Sequence, residues 1–297
     1  MARFTIRHRP LIGILACFVL MTGTCLAGLV GVAALRRFRL NHFDTGVLKD
    51  HFGGRDLLVY SPRNLPPIGT RALVVVLHGG LGNAAMIENG LGERGLKLDA
   101  VAEKDGFVVA YLNGTKVARL LGPNRLGWNA GGGCCGVPAQ ENVDDVGYIT
   151  GAVKYLSGKY GIDPKRVFGM GHSNGAMMTM RMMCETNVYQ AAISISGPLN
   201  LDGQSFPNVK GKRILSIHGA DDQNVPVAGG RGTKAISGVD YKSEEYTKQV
   251  LIHSGAEYRL QIVPGADHAL ANIDQRIRDI EGVSLAEKSA KFFGLAR

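Results

Sequence analysis

The 297-residue chain has no internal repeat, no low-complexity tract, and no stripe of basic residues interleaved with aromatics. The first two absences exclude solenoids and disordered tails, and the third excludes a nucleic-acid footprint despite a formal net charge of +9. Much of that charge is local. Arg3, Arg7, Arg9, Arg36, Arg37 and Arg39 flank one segment, Leu11–Leu35, that carries no charge at all. Cysteine is scarce, at five residues, and the adjacent pair Cys134-Cys135 lacks the spacing of a metal site. A metal site on these cysteines is therefore not expected. Apolar residues, at 45%, are plentiful enough for a sizeable core.

The charge-free segment is long enough to cross a bilayer as a helix. It reads as an export signal, with small residues near Ala27 and Ala33-Ala34, or as an uncleaved anchor; basic residues on both sides leave its orientation open. Residues 1–40 are accordingly assigned to a signal or anchor and 41–297 to a catalytic domain held outside the cytoplasm: periplasmic, secreted or membrane-anchored. If the segment is retained, the membrane is a partner. No sequence feature specifies an oligomeric state.

Beyond Arg39, short apolar or β-branched runs recur at Asp56–Tyr60, Ala72–Leu77, Phe107–Tyr111, Arg166–Met170, Ala191–Ile195, Arg213–Ile217 and Tyr258–Val263. Helix-length stretches separate most of them: Arg94–Lys104, Val143–Tyr160, Gly175–Glu185 and Asp240–His253. This alternation predicts an α/β fold, a mostly parallel sheet with helices on both faces, preceded by the N-terminal apolar helix. In such sheets, loops at the carboxyl ends of strands build the site. The Gly-rich stretch Asn113–Gln140 has neither period and reads as a functional loop.

The strongest motif follows Arg166–Met170: Gly171-His172-Ser173-Asn174-Gly175, between a strand and a helix. That setting is what a nucleophile elbow requires. The turn is too tight for side chains two before and two after the Ser, and its strain lifts the hydroxyl above the sheet edge. The helix beginning there aims backbone N–H groups at the same spot, so Asn174 N–H can stabilise an oxyanion. Upstream, Leu73–Leu77 runs into His78-Gly79-Gly80-Leu81-Gly82, whose Gly80 or Leu81 N–H would be the second oxyanion donor. Downstream, Arg213–Ile217 ends in His218-Gly219-Ala220-Asp221-Asp222-Gln223-Asn224-Val225-Pro226. Two acids compete there to orient a catalytic base. The position three residues before Val225-Pro226 favours Asp222, leaving Asp221 to cap or brace the loop. After the last strand comes His268; of eight histidines it alone lies in a loop past the final strand. The order Ser, Asp, His is that of α/β-hydrolases.

Taken jointly, Leu77-His78-Gly79-Gly80, Trp128-Asn129-Ala130-Gly131, Cys134-Cys135-Gly136, Val143-Asp144-Asp145-Val146-Gly147-Tyr148, Gly171–Gly175 and His218–Pro226 resemble the polyhydroxybutyrate-depolymerase-like esterases, including feruloyl and acetyl-xylan esterases and LpqC-type lipoproteins. The resemblance spans roughly residues 56–268. It implies a single α/β-hydrolase domain that cleaves carboxylic esters without metal or cofactor, with Ser173, Asp222 and His268 in the triad positions. Short-chain, aromatic-acyl or hydroxyalkanoate esters, small or oligomeric, are the implied substrates. A peptidase of the same fold and a silent membrane-tethered binding protein are the alternatives. The loop before Trp128 is richer in Lys, Arg and Leu (Lys116, Arg119, Arg125) than the family pattern, and no polymer-binding domain or Ser/Thr-rich linker is present in the sequence.

Three smaller expectations remain. A disulfide from Cys134 or Cys135 to Cys184 would pin the long loop near the helix after the nucleophile. Trp128 would wall a substrate pocket or anchor that loop from inside. The segment between Ala191–Ile195 and Arg213–Ile217 carries Pro198, Asp202, Gly203, Pro207 and Asn208, a composition unsuited to an amphipathic lid.

Overall fold

Seven consecutive residues, Arg71–Leu77, are buried on both sides of one strand, and that run sits at the heart of the sheet. The computed structural model describes residues 46–89, 95–118, 122, 124–235 and 237–297. The apolar segment Leu11–Leu35, its flanking arginines and the assignment of residues 1–40 lie outside the described residues. Among the described residues no helix is long and apolar enough to cross a membrane.

Eight strands form the main sheet: β1 (Gly46–Phe52), β2 (Arg55–Ser61), β3 (Arg71–Leu77), β4 (Val108–Leu112), β7 (Ile162–His172), β8 (Ala191–Ile195), β9 (Arg213–Gly219) and β10 (Glu257–Val263). Between β4 and β7 lies a separate two-stranded ribbon, β5 (Thr115–Lys116) with β6 (Leu126–Gly127). The spatial order is β1-β2-β4-β3-β7-β8-β9-β10. β1 pairs antiparallel with β2, and β2 with β4; from β4 to β10 every pairing is parallel. This is the α/β-hydrolase architecture expected from the motifs.

Burial explains the sequence patterns. β3, β4 and β8 are buried at every position, so they read as continuous apolar runs without alternation. Ala72, Val74 and Val76 join a core shared with the helices Leu98–Asp105, Leu270–Glu281 and Leu285–Phe293. Leu73, Val75 and Leu77 are equally buried, and by the strand's period of two they face the other side of the sheet. β1 is the strand missed from sequence. It is an outer strand whose residues alternate between half-buried and exposed, and Lys49, Asp50 and His51 deny it an apolar run.

Local signals set the helix ends. Asp144 caps the helix Asp145–Tyr160 by accepting the Gly147 N–H, and Gly161 ends it at φ 64°. Ser243 caps Glu244–His253, so that helix starts four residues later than the sequence pattern implies. Within Asn113–Gln140, the short ribbon and a helical turn, Val137–Gln140, replace the featureless loop expected. Between β8 and β9 the regular element is a single 3-10 turn, Pro207–Val209, in line with the absence of a lid helix.

Candidate active site

The turns leaving β3, β7, β9 and β10 meet at the carboxyl edge of the sheet. At the end of β7 the chain reverses through Ser173 with φ 55° and ψ −124°, a conformation an L-residue adopts only under constraint. Two glycines make the reversal possible. A Cβ on Gly171 would strike the Gly175 carbonyl, and one on Gly175 would strike the carbonyls of Leu77 and His78. The Ser173 N–H is tied to Ile195 O at 2.8 Å. Its hydroxyl takes no part in capping the helix Asn174–Glu185 and points instead to His268.

Ser173 Oγ lies 2.9 Å from His268 Nε2, and His268 Nδ1 lies 2.6 Å from Asp222 Oδ2. A carboxylate only accepts, so Nδ1 carries the proton and Nε2 is left to accept the Ser173 O–H. Asp222 is anchored on its other oxygen by the N–H groups of Asn224 (2.8 Å) and Val225 (2.9 Å). Burial alone would raise its pKa, but hydrogen bonds from His218 and His268 hold the carboxyl well below the usual range. Of the two competing acids, only Asp222 reaches the histidine. Asp221 is exposed on the cavity wall.

The loop Gly79–Gly82 runs beside this line of side chains. A Cβ on Gly79 would come within 3.3 Å of Ser173 Cβ, and one on Gly80 within 3.8 Å of Asn174 Cβ. Leu81 has φ 63°, completing the bend. The Gly79 carbonyl accepts from Gly82 N–H (3.0 Å) and from His78 Nδ1 (2.8 Å). Because Gly114 N–H donates to His78 Nε2 at 3.1 Å, the proton of the neutral ring sits on Nδ1. Burial lowers the His78 pKa to about 4, so the ring stays neutral. In a trans peptide the N–H opposes the carbonyl, so these two bonds also fix the direction of the Gly80 N–H. Asn174 opens its helix, where the first N–H groups have no intrahelical acceptor. Gly80, Leu81 and Asn174 line the same cavity as Ser173.

Trp128 does not line the cavity, which corrects its assignment to the substrate pocket. It is fully buried behind the glycine loop, and its Nε1–H donates to His78 O at 2.9 Å. The Asn174 side chain grips its backbone from the other side, accepting from Trp128 N–H (2.7 Å) and donating to Trp128 O (3.0 Å). An indole with one polar atom and a large apolar face suits such an anchor, because a buried donor must find an acceptor.

The cysteines also require correction. Cys134 is bonded to its neighbour Cys135, and Cys184 is a buried free thiol. Cys134 Sγ sits 3.6 Å from Met177 Sδ, whereas Cys184 lies seven residues farther along the same helix. Two turns advance it by about 10 Å, beyond the reach of a disulfide. Burial pushes the Cys184 thiol up to about 12, so it remains protonated.

The site opens into a cavity of about 860 Å³. Met86, Ile87, Val117, Met177 and Leu270 contribute apolar lining, and Gln223, Asn224, Lys234, Ser237 and Tyr241 contribute polar lining. Among the described residues no group of three or more His, Cys, Asp or Glu could hold a metal ion. Sequence reading missed Asn174's side-chain role and the buried line behind Asp222, in which His218 contacts Asp222 and Glu244 contacts His218. His218 stood inside a motif that could have flagged it. Glu244 is 26 residues away on a helix, with no local signal.

The prolyl oligopeptidase family, Peptidase_S9, matches residues 136–208, a stretch that includes the Ser173 turn. Feruloyl esterase B of Piromyces equi is 27% identical over 180 residues, 59% of this chain and 31% of that protein. The bifunctional acetylxylan esterase/xylanase XynS20E of Neocallimastix patriciarum is 28% identical over 178 residues, 59% of this chain and 22% of its own. The chain thus spans about a third or less of these curated relatives. Among solved structures, the acetyl xylan esterase from Aspergillus awamori superposes with a TM-score of 0.56 at 17% identity, over 84% of this chain and 100% of that one. At that identity the likeness is one of fold.

Proposed function

We propose that this protein is a serine-dependent carboxylic-ester hydrolase. The observation that carries the reading is the hydrogen-bonded line Ser173–His268–Asp222 on the wall of an open cavity. His268 Nε2 takes the Ser173 proton as Oγ attacks the ester carbonyl. The resulting alkoxide is met by the N–H groups of Asn174 and of Gly80 or Leu81, and Asp222 stabilises the imidazolium. His268 then protonates the departing alcohol. Water, deprotonated by the same His268, attacks the acyl-enzyme and frees Ser173.

The mixed lining supports short-chain, aromatic-acyl or hydroxyalkanoate esters, its apolar side chains taking the acyl group and its polar ones an oxygen-rich partner. This agrees with the polyhydroxybutyrate-depolymerase-like resemblance and with the feruloyl and acetylxylan esterases among the relatives. Export, by the segment Leu11–Leu35, belongs to the same proposal. A fluorophosphonate probe should label the purified protein at Ser173 and fail to label Ser173→Ala. Turnover of nitrophenyl acetate, methyl ferulate and hydroxybutyrate oligomers, compared side by side, then assigns the ester. No labelling and no ester turnover would end the proposal.

The Peptidase_S9 match favours a second reading, amide hydrolysis at the same serine. Asp221 and Asp267 on the cavity wall could meet a substrate amine. An anilide and an ester of the same acyl group, assayed together, separate the two.

A further inference from the structure

Behind Asp222, on the side away from His268, lies a second buried histidine. His218, at the end of β9, places Nε2 at 3.1 Å from Asp222 Oδ2 and 2.8 Å from Val225 O. Both partners only accept, so Nε2 carries a proton. Its Nδ1 lies 2.7 Å from Glu244 Oε1. Glu244 also accepts from Ser216 O–H at 3.0 Å and, through Oε2, from Tyr258 O–H at 2.8 Å. Two hydroxyl donors on one buried carboxyl suit its ionised form, and an ionised Glu244 calls for a proton on His218 Nδ1 as well. The side chains of His218, Asp222 and Glu244 are 0%, 0% and 1% exposed, so solvent does not screen their charges. The line is then Ser173–His268–Asp222–His218–Glu244, drawn from four separate stretches of chain, His218 and Asp222 sharing one.

We infer that His218 is a positioning residue, a buried imidazolium clamped between two carboxylates that fixes Asp222 for its work on His268. The inference rests on the esterase reading of the site for its kinetic consequence only. Asp222 Oδ2 receives two imidazole donors, one from each side, while Oδ1 is held by two backbone N–H groups, so the carboxylate cannot rotate. Charge explains why Glu244 is needed. An imidazolium beside Asp222 would by itself neutralise it, and Asp222 would lose its hold on the positive charge that His268 acquires during the reaction. With Glu244 the buried cluster carries one net negative charge, the same as Asp222 alone, and it gains the rigidity of a fully bonded network. Desolvation works against the His218 cation, but the hydrogen bonds and charges of Asp222 and Glu244 outweigh it and raise its pKa to about 9. The charged and titratable groups facing the cluster are Asp222, Glu244, His268 and, beyond them, Tyr258 and Tyr241.

The test begins with the full chain, isotopically labelled at its histidine nitrogens. His218, assigned by the resonance lost in His218→Gln, should show both ring nitrogens protonated at neutral pH and should lose a proton only as pH rises toward about 9. Glu244→Gln should move that titration down toward the ordinary histidine value. A neutral His218 ring at neutral pH overturns the inference, whether or not any ester is turned over. Kinetics supply the second arm. His218→Leu should lower kcat by about 10- to 100-fold, with KM within about twofold, less than the loss expected on removing the triad acid itself. His218→Gln, which keeps an N–H donor toward Asp222, should recover part of that loss. Both variants matching wild type in kcat would equally overturn it. If His218→Leu does not fold, the magnetic-resonance titrations of wild type and Glu244→Gln decide the question.

Discussion

Replacing Asp222 with Asn changes one oxygen to NH2, and the surroundings dictate which one. Oδ1 accepts from Asn224 and Val225 N–H, so the amide oxygen must stay there. The NH2 group then faces His268 Nδ1 and His218 Nε2, both of which donate to the wild-type carboxylate. Two donors cannot bond, so His268 must move its proton from Nδ1 to Nε2. Nε2–H then faces Ser173 Oγ and can no longer accept its proton. The expected loss in kcat is about 10⁴-fold, the cost of the wrong tautomer, or about 5.4 kcal/mol of barrier. Asp221→Asn changes an exposed side chain on the cavity wall and should stay within about twofold, as for an ordinary surface substitution. The assay is kcat on a soluble ester for both variants, with folding checked by thermal melts. Asp222→Asn retaining a tenth of wild-type kcat, or Asp221→Asn being the more damaged variant, would refute this reasoning.

Trp128→Phe keeps most of the buried ring but leaves the His78 carbonyl without its indole donor, so stability should fall by about 1–3 kcal/mol, read from denaturant melts; an unchanged midpoint would show that the indole N–H does not anchor the loop. Non-reducing peptide mapping should recover Cys134 and Cys135 joined within one peptide and Cys184 alkylated only after unfolding; a Cys184-linked peptide would contradict the fold described. Across acyl lengths, kcat/KM should peak on acetyl to butyryl or small aromatic acyl esters, with no jump at the micelle threshold. Each methylene buried in a deep acyl channel would add about 0.8 kcal/mol, so a maximum at a dodecanoyl ester would reveal a channel absent from this cavity.

The sequence by itself determined the fold class and the loops that carry the site. Strands buried on both faces must be written as apolar runs, so β3, β4, β7, β8 and β9 were legible. The strained turn at Ser173 admits only glycine at positions 171 and 175, so the elbow announced itself. His268 emerged by elimination, and Asp222 by its distance from Val225-Pro226. β1 escaped because an outer strand needs no such run: Lys49 and His51 lie on its exposed face and Asp50 on the half-buried one. Tertiary structure alone decided what depends on distance between remote residues. It chose Asp222 over its neighbour by bringing one carboxylate and not the other to His268. It put Trp128 behind the glycine loop, with its N–H on a backbone carbonyl, and separated Cys184 from the cysteine pair by two helical turns. The line through His218 to Glu244 lies furthest from the sequence, because it joins a strand end to the first turn of a later helix. Hydrogen bonds act over about 3 Å in space, and residues 26 positions apart in the chain come that close only when the sheet and its helices are assembled.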